Sequence, residues 1–214
     1  MELLLGLSLL LSFFSWGRRV LYPFQIFTTW IHECSHAVTA MILGGEDICI
    51  TISPDGGGLT RYKIPKGTLK HAVIASAGYL GASLSGCFIF FLGVSAEHSS
   101  QLNIRSLIIF LCTAVVLSLV FWIRNAFGFF SVLVLASALA ALNYYPPAHH
   151  YAHEVILFLA IQTGLNALFD IRVLFGLGAR GGVMSDAHTL QKLFFLPHYF
   201  WALIWLGLSI LMML

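Results

Sequence analysis

VLYPFQIFTTWIHECSHAVTAMIL, residues 20–43, is an apolar stretch long enough to cross a membrane as a helix, and His32, Glu33 and His36 lie inside it. On a helix, the H-E-x-x-H spacing puts the two imidazoles one turn apart on the same face. Both can then bind one zinc ion, while the glutamate beside them takes a proton from a water that the ion acidifies. Ionisable groups at bilayer depth are costly to bury, so their presence there points to function. The competing explanation is two polar histidines satisfied by hydrogen bonds inside a helix bundle. The stretch therefore predicts a membrane-embedded zinc hydrolase with His32 and His36 as ligands and Glu33 as the catalytic base.

Composition sets the frame around this motif. Of the 214 residues 59% are hydrophobic and 9% charged, with a mean hydropathy of +0.90. A soluble domain of this size could not hide so much apolar surface, so the chain reads as an all-α, multi-spanning membrane protein. The formal net charge of +2 is scattered, without a basic run or aromatic–basic interleaving, and no nucleic-acid partner is expected. Cys34, Cys49, Cys87 and Cys112 show no paired spacing and read as reduced packing residues. The start, Met1-Glu2-Leu3-Leu4, lacks the basic region of a signal peptide, and residues 1–214 read as one membrane domain.

Apolar segments near 1–16, 20–44, 72–96, 104–123, 126–143, 154–177 and 194–214 predict six to seven transmembrane helices. The third carries Gly78, Ala82 and Gly86 on one stripe, with Gly81 and Ser85 beside it, which suits close helix packing. With the N-terminus on one side, that side receives Arg61, Lys63, Lys66, Lys70, Arg124, Arg172, Arg180 and Lys192, and the other receives Arg18, Arg19 and Arg105. The imbalance makes the first side, and hence the N-terminus, cytoplasmic.

The longest polar segment, 46–70, predicts a short β-hairpin. Ile48, Ile50 and Ile52 alternate with Cys49 and Thr51, Ser53 to Gly58 supply the turn, and Leu59 to Ile64 return. Such a hairpin either caps the helix bundle or pairs with an extended substrate by strand addition.

A catalytic zinc normally takes three protein ligands and keeps one position open. Apart from Glu33, Asp170 is the acidic residue well inside a span, and helix arithmetic puts it near the level of His36. It is the first choice for third ligand, against the alternative of an ion pair with Arg172. Asp186, in Ser185-Asp186-Ala187-His188, is the rival, although Ser185-Asp186 also reads as a helix start. Asn166, one turn before Asp170 on the same face, and Gln162 before it are candidates for holding substrate or steadying the carboxylate, or for plain interhelical bonding. His149 and His153 have i, i+4 spacing for a second metal, but on the face opposite the expected access to Glu33.

A transmembrane H-E-x-x-H, then Gly44-Gly45, a short strand ending Pro54-Asp55-Gly56-Gly57-Gly58 and a small-residue helix resembles the site-2 protease family of intramembrane zinc metalloproteases. The likeness is to its compact branch without PDZ or CBS domains, and it is clearest over residues 28–86. It implies a Zn2+ cofactor, a membrane protein or peptide as substrate in the lipid bilayer, and an aspartate on a later helix as third ligand, for which Asp170 stands. The chain departs from the family pattern there, with Phe169-Asp170-Ile171 in place of leucine-aspartate-glycine and no nearby proline. The reading from another class is a non-proteolytic metal-binding membrane protein, either a scaffold or a transporter. Spans three to five carry almost no ionisable groups and no repeat is visible, which argues against transport.

Overall fold

The computed structural model describes residues 2–65, 67–98, 103–177 and 185–213, with the backbone alone at 97–98 and 172–177. Lys66 and Arg180, used above for orientation, lie outside the described residues, as does the side chain of Arg172. The chain runs α1 (Glu2–Phe13), α2 (Ser15–Ile42), β1 (Glu46–Ile52), β2 (Gly58–Lys63), α3 (Thr68–His98), α4 (Ile104–Phe121), α5 (Ala126–Tyr144), α6 (Pro146–His149), α7 (Ala152–Leu177), α8 (Asp186–Phe194) and α9 (His198–Met213).

Four helices, α3, α4, α5 and α7, are each long and apolar enough to cross a membrane. The pairs α1–α2 and α8–α9 pass the same test only together, bent by 118° and 119° at their breaks. The described residues thus hold four to six spans, where the sequence separates 1–16 from 20–44 as two and takes 194–214 as one straight helix. Length explains the difference. The 12 residues of α1 reach about 18 Å, well short of a hydrocarbon core of about 30 Å. Phe14, extended at φ −101° and ψ 142°, ends that helix and turns the chain.

At the centre, α3 packs along both α2 and α7. The small-residue stripe makes this possible: a Cβ at Gly86 would lie 3.0 Å from the Gly164 nitrogen and 3.3 Å from the Ala160 oxygen, both on α7. One core joins α2, the hairpin, α4, α5 and α7 through Phe27, Trp30, Ile50, Ile108, Val132 and Ile156. A second, smaller one joins α3, α8 and α9 through Ala75, Tyr79, Ala187, Leu190, Ala202 and Trp205.

The hairpin forms as the alternation predicts, with Ile50 and Ile52 fully buried and Thr51 facing Leu59 across the ladder. Its turn closes through Ser53 N–H to Gly57 O and Gly56 N–H to Ser53 O, with Gly56 at φ +87°, a backbone state that suits glycine. It is not a cap on the bundle. Tyr22 and Thr29 of α2 donate hydroxyl bonds of 2.7 Å to the carbonyls of Pro54 and Gly56. Thr29 lies 13 residues before the end of α2, about 20 Å along its axis, so the hairpin runs down the side of that helix. The other edge of β1 is taken by the α4–α5 connection: Ile50 N–H bonds Trp122 O, Arg124 N–H bonds Ile50 O, and the Asn125 amide exchanges two bonds with the Ile52 backbone.

Candidate metal centre

His36 and His32 lie in the second and third turns from the end of α2, on the side that meets α3. Their rings stand edge to face with centroids 4.7 Å apart, and their Nε2 atoms are 3.0 Å apart. His36 Nδ1 lies 2.7 Å from the Ile74 carbonyl oxygen on α3. A carbonyl can only accept, so Nδ1 carries a proton, and in a neutral ring Nε2 would present the lone pair.

The third group is Asp186. Its Oδ2 is 3.4 Å from His32 Nε2 and 3.3 Å from His36 Nε2, and the three ligand atoms lie within 4.8 Å of one another. It is the one such group of three among the described residues. Asp186 is the first residue of α8, and Ser185 caps that helix by accepting from His188 N–H. The cap uses the serine and leaves the Asp186 carboxylate free to turn inward. Ala187 and Leu190, fully buried in the second core, hold α8 against α3 and carry Asp186 to the histidines.

Asp170 is not in this group. It sits exposed on α7, close enough for the charge of His32 to reach it but outside the three-atom cluster. Helix arithmetic concerns depth alone, and depth does not settle which way a side chain faces. Asn166 also turns elsewhere, donating from Nδ2 to Thr28 Oγ1 at 3.3 Å, and Gln162 is fully buried with no partner for its amide among the described residues. On the far side, His149 lies between Arg105 Nε and the Leu142 carbonyl, and His153 Nε2 meets the Gly93 carbonyl. Those contacts are interhelical, and no three-residue metal group forms there among the described residues.

The donor set suits zinc. Two imidazole nitrogens and a carboxylate oxygen some 3.0–3.4 Å apart match ligands set about 2.0–2.2 Å from a common centre. Lone pairs and a carboxylate converging in a half-buried cleft call for a positive charge among them. Gly78 on α3 keeps the space clear, because a Cβ there would overlap Nε2 of both histidines.

Glu33 is buried beside this cluster, and Thr60 of β2 holds it by donating to its backbone oxygen at 3.0 Å and to Oε2 at 2.6 Å. Gly58 lies against the same side chain, and a Cβ there would come within 2.6 Å of Glu33 Cγ and Oε1. The hairpin is thus part of the site. Burial, with the Asp186 charge next, pushes the Tyr62 phenol above its ordinary value, so that charge reaches β2 as well. Gly58, Thr60, Gly78 and the Ile74 carbonyl were not legible as site residues. Gly78 was visible in the small-residue stripe but read as helix packing alone.

The family described as Peptidase M50B-like matches residues 5–214 of the chain. No curated protein and no solved structure matches it.

Proposed function

The chain belongs to the Peptidase M50B-like family, a branch of the site-2 proteases, and on that premise we propose that it is a zinc endopeptidase cutting a peptide bond in or next to a transmembrane segment. The convergence of His32, His36 and Asp186, with Glu33 held beside them, supports the reading most directly. His32, His36 and Asp186 are the ligands in this proposal, and Asp170 is not. When bound, zinc supplies Lewis-acid chemistry, lowering the pKa of a water and polarising a carbonyl oxygen.

The remaining work falls to the chain. Glu33 accepts the water proton on a carboxylate oxygen and delivers it to the leaving amine nitrogen. Thr60 fixes that carboxylate through Oε2, which keeps its rotamer in place as the proton arrives and leaves. His36 is oriented by the Ile74 carbonyl, which sets its tautomer for metal ligation.

Substrate binding uses the hairpin. One edge of β1 is paired with β2 and the other with residues 122–125, so the outer edge of β2 is the free one among the described residues. Because the ladder pairs Leu59 and Arg61 with Thr51 and Cys49, the backbone groups of Gly58, Thr60 and Tyr62 face outward. An unwound substrate segment can add there as a strand, with its backbone satisfied and its carbonyls released from helical bonds.

Purified, zinc-loaded protein and its Glu33→Gln variant should be compared on candidate single-span membrane substrates. Cleavage should fall by at least about a thousandfold with zinc content unchanged. Undiminished cleavage by a zinc-replete variant would sink the role of Glu33. A partner held equally by both proteins and cut by neither would favour the non-proteolytic scaffold.

A further inference from the structure

Zinc would polarise the scissile carbonyl oxygen, and a hydrogen-bond donor beside it would further stabilise the negative charge that develops there, a donor that the ligands and Glu33 do not supply. Most hydrogen-bond donors near the cluster are already committed. Thr60 donates to Glu33, Ser35 to the Ile31 carbonyl, His36 Nδ1 meets the Ile74 carbonyl, and Asn166 donates to Thr28. Tyr79 is different.

This residue follows Gly78, the glycine pressed against both ligand nitrogens. Its ring stands edge to face with His32, centroids 4.7 Å apart at 85°, and stacks on Trp205 at 5.0 Å and 21°. The side chain is 8% exposed, so two ring contacts and burial fix where the hydroxyl can lie. That hydroxyl makes no hydrogen bond among the described residues, so its proton is uncommitted.

We infer that Tyr79 is a catalytic residue whose hydroxyl donates a hydrogen bond to the scissile carbonyl oxygen as that oxygen gains negative charge. The inference rests on the peptidase reading. The phenol keeps its proton throughout, so the step adds one hydrogen bond and no proton transfer. A rigid, buried, neutral donor suits this role, because it requires no reorganisation when charge appears and gains strength where water is scarce. Of the other phenols, Tyr62 is reached by the charge of Asp186 alone and has no ring contact with a ligand, so it is the comparison residue.

Zinc-loaded wild type, Tyr79→Phe and Tyr62→Phe should be assayed for zinc content, for kcat and KM, and for affinity toward a phosphinic peptide, whose tetrahedral anionic centre mimics the transition state. Tyr79→Phe should keep its zinc and its KM within about twofold, lose about a hundredfold in kcat, and bind the phosphinate at least about tenfold more weakly. Wild-type kcat and phosphinate affinity in Tyr79→Phe overturn the inference, as does a loss confined to Tyr62→Phe. If Tyr79→Phe sheds zinc, 3-fluorotyrosine at position 79 replaces it as the probe. It keeps ring and hydroxyl but makes the phenol a stronger hydrogen-bond donor, and an unchanged phosphinate affinity and kcat then overturn the assignment. Wild type that binds zinc and phosphinate but cuts no peptide refutes the peptidase reading, while the hydrogen bond is still tested by the phosphinate. Wild type that binds neither overturns both.

Discussion

Removing the Asp186 carboxylate would leave two imidazoles with their Nε2 atoms 3.0 Å apart and no anionic ligand to share a cation with them. Asp170 feels the charge of His32 across a gap, and losing it removes no atom from the cluster. Zinc affinity, measured by chelator competition, should therefore fall by more than about a hundredfold in Asp186→Asn, since changes one shell further out already cost about 10–100-fold. Asp170→Asn should retain zinc within a few-fold. Equal retention by both variants would remove Asp186 from the ligand set. The residue scale also shows what sequence reading reached. Two histidines and a glutamate on one helix face follow from spacing alone. A carboxylate beside them, 150 positions from His36, does not.

Two elements bring glycines against the site, and they divide its work. α3 presents Gly78 to the imidazole nitrogens, and β2 presents Gly58 to the Glu33 side chain. A methyl group at the first position competes with the metal, and at the second it pushes the base from its place beside Thr60. Gly78→Ala should accordingly lose zinc binding while the helix remains folded, since alanine favours helix over glycine. Gly58→Ala should hold zinc but lose at least about tenfold in kcat. Metal analysis beside cleavage rates checks both, and a Gly78→Ala protein with full zinc would show that the cleft widens more readily than the packing implies. The hairpin was visible at this scale from its alternating isoleucines and glycine turn. Its position along α2 was not, because the bonds from Tyr22, Thr29 and Asn125 that hold it there join residues far apart in sequence.

Across the whole molecule, α8 brings Asp186 to the two histidines, the hairpin holds Glu33 beside them, and the α4–α5 connection extends the sheet of that hairpin. The α5–α7 connection, including His149 and Tyr151, lies at the far end of the intervening helices. Most lysines and arginines named for the expected cytoplasmic side belong to the first group of connections, which places the hairpin and α8 in the cytoplasmic half in our proposal. That assignment does not depend on whether α1 and α2 cross once or twice, whereas the side of the N-terminus does. In sealed inverted vesicles, a membrane-impermeant maleimide should label Arg61→Cys from the cytoplasmic face and Tyr151→Cys only from the other, in a background without the native cysteines. The reverse pattern would invert the topology.

By itself, the sequence determined a membrane protein of apolar helices, a two-histidine and glutamate motif at membrane depth, and a β-hairpin with its turn. Each rests on local chemistry, namely hydropathy, one-turn spacing and turn residues, that neighbouring positions carry among themselves. The tertiary structure alone decided that α1–α2 and α8–α9 are bent pairs, that Gly78 presses on both imidazoles as well as packing helices, and that Asp186 and not Asp170 meets the histidines. The reason is physical. Sequence spacing sets how deep a side chain lies along its own helix, but the direction it faces depends on how the helix is rotated and docked. For Asp186 the docking comes from Ala187 and Leu190 burying against α3, an apolar contact between segments about a hundred residues apart.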